Sequence, residues 1–372
     1  MKWLFWSAAV LIAYTYVGYI CWLRLRRLWR PLPVMRCAGT PAVAIVMVVR
    51  NEGRVLKEKL ENLLMLDYPR CQIIVVSDGS TDRTEEILRD YRRDSRIECV
   101  LNPEPAGKAS GLNDAIALAQ AEIVVFTDAR QNLEPVALRR LVENFCDPTV
   151  GCVSGELMLG DPGQGESGEG VGLYWRLEKQ VRELEAASGS VVGATGALYA
   201  VRRELLTPVP ADTILDDVYI PMQVVRQGKR VVFDDRARAW DNPDLGTERE
   251  FARKVRTLSG NYQLLQLAPW LLSASNPIRF EFVSHKLLRL VIPFALGALL
   301  LASLALHGVF YRTVLILQLA FYALGALALC RLLTRGLPSR IANVAGTFVL
   351  LNGAAVMALG NFVVGKRAAW TR

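Results

Sequence analysis

The sequence predicts an α/β domain built on a parallel sheet and set between membrane-spanning helices. Three observations carry that prediction. Between residues 43 and 127, short apolar runs rich in β-branched residues alternate with polar helical stretches, the pattern of parallel strands joined by helical crossovers. Residues 3–23 contain no charge and are about long enough to cross a bilayer core. Three further apolar runs, 290–310, 313–330 and 341–365, occupy the last quarter of the chain.

The elements follow in order. Residues 43–49 form a continuous apolar run, as a strand buried on both faces requires. A charged helix is expected over 54–65, then a strand at 72–77. A polar helix follows at 82–92, with Thr81 or Asp82 available to cap it. Strand 97–101, helix 108–119 and strand 123–127 complete the alternation. Beyond it, 150–159 reads as a strand, 160–170 as a mobile Gly-rich acidic loop and 171–186 as a helix. Residues 193–201 are strand-like, and Asp216-Asp217 opens a helix reaching about residue 227. A basic helix is expected over 247–265.

Charge and composition bound the setting. The 372 residues are 52% hydrophobic, above the usual share for a soluble domain, and the excess lies in the terminal apolar runs. Arg24, Arg26, Arg27 and Arg30 directly follow the first run, which places that end in the cytoplasm by the positive-inside rule. A cleaved signal peptide is the alternative, but Cys21-Trp22-Leu23 is not a small-residue cleavage site. Arg331, Arg335 and Arg340 suggest a cytoplasmic loop between the last two runs. The tail residues Lys366, Arg367 and Arg372 then fall outside, against the charge rule. The net charge of +8 sits beside membrane segments and suits lipid headgroups and an anionic substrate. No basic run is interleaved with aromatics, so nucleic acid is not an expected partner. The seven cysteines show no metal or redox spacing and read as free thiols in a reducing compartment.

Ligands on a parallel sheet of this kind bind beyond the carboxyl ends of the strands. There the sequence places Asn51 and Glu52 after the first strand, Asp78 after the second and Asp128 after the fourth. These belong to an ordered motif set: VVRNE ending at Glu52, VVSDGSTD with Asp78, PAGKASGLND with Lys108 and Asn113, FTDAR with Asp128, and ILDD ending at Asp217. Residues 42–265, so marked, resemble an inverting glycosyltransferase of family 2. The branch is that of the membrane polysaccharide synthases, whose cellulose, hyaluronan and poly-N-acetylglucosamine members also carry flanking membrane segments.

The resemblance implies a glycosyltransferase A (Rossmann-like) fold and a role for each residue. Asp78 would accept a hydrogen bond from the base of a UDP-sugar, or else cap the turn before Gly79. Lys108 would approach the diphosphate, or else be a solvated lysine at a helix start. Glu52 and Asn113 would frame the nucleotide, with helix capping the alternative for Glu52. Asp128 stands for the first acid of the family's DXD motif, implying Mg²⁺ or Mn²⁺. The second acid is replaced by Arg130, so the metal has either only water and phosphate as further ligands or a guanidinium partly in its place. Asp217 matches the catalytic base, which takes the acceptor hydroxyl proton as the anomeric carbon is attacked; Asp216 is the reserve.

Arg256 matches the arginine of the QxxRW motif, while Arg253 and Thr257 replace its glutamine and tryptophan. Tyr174 and Trp175 could stack on an acceptor sugar instead, or belong to the core. The expected organisation is a membrane helix with a basic flank (1–30), a cytoplasmic catalytic domain (31–269), an amphipathic segment on the membrane surface (270–289) and a membrane region of about three helices (290–372). The expected location is the plasma (inner) membrane. The acceptor would be a polysaccharide or lipid-linked glycan, with a secretion partner or a homo-oligomer compatible with this plan. Two alternatives are a single-addition glycolipid synthase and a non-catalytic nucleotide-sensing subunit.

Overall fold

The computed structural model describes residues 1–161, 165–166, 171–241, 247–330, 332 and 337–365, with side chains described except at 161, 165–166, 171–174, 247–250 and 337–340. Most of the 160–170 loop therefore lies outside the described residues, as do Arg331, Arg335, the Arg340 side chain, Lys366, Arg367 and Arg372.

The chain opens with α1 (Lys2–Trp29) and enters the sheet at β1 (Val43–Val49). It continues through α2 (Leu56–Leu64), β2 (Cys71–Asp78), α3 (Thr84–Tyr91), β3 (Ile97–Asn102), α4 (Lys108–Leu118) and β4 (Ile123–Phe126). All seven residues of β1 are buried, as its unbroken apolar run requires. Strands β1 and β2, β2 and β3, and β1 and β4 pair in parallel.

The second half changes character. After β5 (Asn132–Leu133) and α5 (Ala137–Glu143) come β6 (Val150–Asp161), β7 (Gly165–Glu166), α6 (Val171–Ser188), β8 (Tyr199–Arg202), α7 (Asp216–Arg226) and β9 (Arg230–Asp241). Strand β8 pairs antiparallel with both β4 and β6, and β6 pairs in parallel with β9. The sheet order is β3-β2-β1-β4-β8-β6-β9-β5, with β7 on β6. The sheet is therefore mixed: all parallel from β3 to β4, with β8 antiparallel between β4 and β6 and a parallel β6–β9 pair beyond it.

Two local expectations are corrected. Of the strand-like 193–201 only the end belongs to a strand, Tyr199–Arg202. The residues before it turn instead, because Ala194 donates its N–H to the Asp217 carbonyl and Leu198 to that of Thr195. Second, the cysteines are not all free: Cys37 and Cys146, 109 residues apart, form a disulfide. It ties the segment entering β1 to the end of α5, and no local spacing announces such a pairing.

The chain leaves the domain through α8 (Thr247–Leu267), then forms α9 (Arg279–Ala305), α10 (Val309–Leu329) and α11 (Leu337–Val363). Among the described residues, four stretches are long and apolar enough to cross a membrane: Lys2–Trp29, Arg279–Ala305, Val309–Leu329 and Ile341–Val363. The residues expected to form a separate surface segment differ from that picture. From Arg279 onward they are the first turns of α9, and their polar side is turned inward. His285 offers Nδ1 to Glu185 and Nε2 to Glu178, each at 2.9 Å. Tyr19 of α1 donates to Glu185 at 2.7 Å, and Arg289 to Glu178 at 2.7 Å. Arg26 pairs with Glu281 and donates to Ser188. Buried charges are tolerable only when paired in this way. The network joins α1, α6 and α9 and seats the sheet domain against the helices that leave it.

Candidate active site

The loops after β1 and β2 are knitted together. Asn51, at φ 54°, accepts the Thr81 N–H at 2.8 Å on its side-chain oxygen, and its own N–H reaches Ser80 Oγ at 3.2 Å. The Glu52 N–H is taken by Thr84 Oγ1, and Asp82 accepts the Thr84 N–H at 2.9 Å, whereas the residue at the cap position itself is Arg83, not Thr81 or Asp82. Gly79 has φ +61° and a Cβ there would lie 2.6 Å from Pro105 N, so both the backbone angle and the close approach require glycine.

Asp78 is fully buried. Its Oδ1 accepts the N–H groups of Ala106, at 2.7 Å, and Gly107, and its Oδ2 also accepts from Gly107 at 3.0 Å. Asp78 thus holds the PAGK turn against the end of β2. Asn113 is engaged at both ends by the Val209 backbone, donating to its carbonyl at 2.9 Å and accepting its N–H at 2.8 Å; it braces α4 against the segment before α7.

That turn delivers Lys108, the first residue of α4, to the centre of the site. Its Nζ lies 3.1 Å from Asp128 Oδ1 and 3.1 Å from Asp216 Oδ2, an ammonium bridging two carboxylates. Removal from water opposes its charge, but Asp128, Asp216 and Asp217 outweigh that and raise its pKa. Asp128 is affected in the mirror sense. Desolvation would raise it, yet Lys108, Arg130 and Arg256 together hold it below the ordinary carboxylate range.

Asp217 differs from its neighbours. Burial first, then the negative charge of Asp216, pushes its pKa up to about 6, with Lys108 pulling the other way. Asp216 and Asp217 occupy the first turn of α7, where the helix dipole favours acids. Gly196 closes the arrangement from below. A Cβ there would lie 3.3 Å from Asp217 Oδ2 and 3.8 Å from Asp128 Oδ2, so both carboxylates border the same side-chain-free space.

The remaining expected residues are less central. Arg256 on α8 is near enough to lower the pKa of Asp128. Thr257 bonds back to the Arg253 carbonyl within α8. Lys254 stacks over the half-buried Trp175 ring, 5.7 Å from its centre, and the Tyr174 side chain lies outside the described residues. One residue near the site was not anticipated: Lys59, buried beneath Thr127. Its signal was present, since Leu56, Leu60 and Leu63 define the buried face of α2 and Lys59 falls on it.

A mixed α/β sheet with acids and a lysine gathered beyond its carboxyl ends, joined to membrane-length helices, defines a domain of the glycosyltransferase A class. Residues 44–207 match the family model described as Glycosyl transferase family 2. It is 23% identical over 227 residues to the poly-beta-1,6-N-acetyl-D-glucosamine synthase of Staphylococcus aureus (strain COL), covering 60% of this chain and 55% of the relative. The corresponding synthase of Staphylococcus epidermidis is 22% identical over 232 residues, covering 61% and 56%. The chain thus spans about half the length of the curated relatives it matches. A mannosyltransferase from Pyrobaculum calidifontis, solved in complex with GDP-Man and Mn2+, superposes with a TM-score of 0.74 at 24% identity, covering 98% of this chain and 99% of the other. That likeness concerns the fold.

Proposed function

We propose that this protein is a membrane-bound inverting glycosyltransferase. It transfers a sugar from a UDP-sugar to a polysaccharide or lipid-linked acceptor and forms a β-linkage. The observation that carries the reading is the convergence of Lys108, Asp128, Asp216 and Asp217 at one point beyond the carboxyl ends of the strands. Asp217, with its pKa raised to about 6, is ionised at neutral pH yet basic enough to take a hydroxyl proton, the balance a general base needs. Lys108 and Arg256 bring positive charge to the departing diphosphate, and Asp216 holds Lys108 in place.

The metal fits in a restricted form. Among the described residues no group of three or more His, Cys, Asp or Glu side chains is suited to hold an ion, and Lys108 already occupies the space between Asp128 and Asp216. The free side of Asp128, toward Gly196, suits a Mg²⁺ or Mn²⁺ completed by water and the donor's phosphates. Such an ion would supply charge neutralisation to the diphosphate. It would arrive with the donor, so nucleotide should tighten metal binding in calorimetry.

The Pyrobaculum protein holds GDP-mannose, so the donor test must include guanosine as well as uridine sugars. Membranes carrying the protein, incubated with radiolabelled UDP- and GDP-sugars, should transfer label from a UDP-sugar into a lipid- or glycan-bound product. Transfer from a GDP-sugar alone would replace the donor, and no transfer from either class would reject the activity. The absence of tryptophan at Thr257 favours short products, to be read by sizing the product early at limiting enzyme.

A further inference from the structure

Lys59 is 1% exposed and projects from the apolar face of α2, where a charge is costly unless it is satisfied. Its Nζ donates to Thr127 Oγ1 at 3.0 Å and to the Gln131 carbonyl at 2.6 Å. Both acceptors are neutral. They stand on either side of Asp128, Ala129 and Arg130, so a single ammonium spans the turn that carries the proposed donor-binding acid. Thr127 Oγ1 in turn donates to the Ala197 carbonyl at 2.8 Å, next to Gly196 on the floor of the site.

The rest of α2 grips the same segment. Glu58 accepts from the Asn132 side chain at 2.8 Å. Asn62 donates to the Leu133 carbonyl at 2.9 Å and accepts the Leu133 N–H at 2.8 Å. The stretch from Thr127 to Leu133 is thus held at four residues by three side chains of one helix. Of these only Lys59 is buried.

We infer that Lys59 is a positioning residue: its buried ammonium fixes the Thr127–Gln131 turn and so sets the placement of Asp128 and Arg130 toward the donor's diphosphate. It touches neither donor nor acceptor. Burial lowers its pKa to about 7, with Asp128 opposing the fall; the two Nζ–H donors that hold the turn are retained in either protonation state. The assignment rests on the reading of Asp128 as the donor-site acid.

The test compares K59M, which keeps the packing and removes the charge and both bonds, with the unaltered enzyme in its membrane or detergent form. Turnover should fall at least tenfold, and the Mg²⁺ or Mn²⁺ concentration giving half-maximal rate should rise about tenfold. Acceptor KM should stay within about twofold. A purely structural lysine would lower Tm yet leave the metal and donor dependence of the folded enzyme unchanged, and that result would overturn the inference. Should K59M fail to fold, T127V removes the acceptor on one side of the turn while Lys59 keeps Gln131; the same shift in donor and metal dependence is expected, and its absence counts equally against the inference. D128N separates the two claims. An active D128N with ordinary donor affinity would reject the donor-site reading, whereas an inactive D128N beside a normal K59M would reject only the role of Lys59.

Discussion

Asp217 and Asp128 are both aspartates on the border of Gly196, and their surroundings drive them apart. Asp217 is raised to about 6 by burial and by Asp216. Asp128 is lowered because Lys108, Arg130 and Arg256 outweigh its desolvation. Under the proposed function such a split between neighbouring acids suits two roles: the raised group would exchange protons and the lowered group would remain a fixed negative charge. Asp217→Asn should therefore reduce turnover on the order of 10²–10⁴-fold, with nucleotide binding retained. Near-normal turnover would remove Asp217 from the mechanism. The sign of the pH dependence also follows. Above about 6 the base is ionised; below it, protonation removes the base, so kcat should fall with decreasing pH on a limb centred near 6.

Helix α4 shows how an element aims a residue. It must lie close against the sheet for Lys108 at its first position to reach Asp128. Gly111 permits this: a Cβ there would lie 2.7 Å from Val48 Cγ1 and 3.3 Å from Val76 Cγ1. Alanine would gain about 1 kcal/mol in helix propensity, but the overpacking against two strand residues costs about 1–3 kcal/mol. We expect G111A to lower Tm by a few degrees and to weaken donor binding as Lys108 is displaced, both readable by thermal shift with and without nucleotide. An unchanged Tm and donor affinity would show that the helix has room to move. Helix α2 makes the complementary point, since Lys59 and Asn62 hold the Asp128 turn while Leu56, Leu60 and Leu63 fill the core.

Across the whole molecule, the His285, Glu178, Glu185 and Tyr19 network joins the sheet domain to the membrane-length helices. The Cys37–Cys146 disulfide anchors the segment between α1 and β1 to the end of the α5 region. Because the bond closes a loop of 109 residues, its removal in C146S should cost about 2–4 kcal/mol. Thermal unfolding with and without reductant measures this; reductant should lower the Tm of the unaltered protein and leave that of C146S in place. Disulfides are uncommon in reducing cytosol, which sharpens the question of orientation. The arginines after residue 23 predict that a reporter following Arg30 reads as cytoplasmic and one at Gly308 as external. An external reading after Arg30 would invert the arrangement.

Local information accounts for much of this. The seven-residue β1 run, the parallel first half of the sheet and the apolar terminal stretches were legible in the chain, because strand burial and membrane length leave direct marks on local composition. So was the candidate set of acids, because the motifs occur in a fixed order. Other features depended on contacts distant in sequence. Nothing near Cys37 points to Cys146, and nothing near Asn113 shows that the Val209 backbone engages it at both ends. The switch to a mixed sheet likewise follows from where β8 inserts antiparallel between β4 and β6. The placement of Lys108 between Asp128 and Asp216 is the clearest case. Residues spread over more than a hundred positions come within 3.1 Å of one another, and there the pKa of Lys108 is raised and that of Asp128 lowered because packing and water exclusion, not residue type, set the electrostatics.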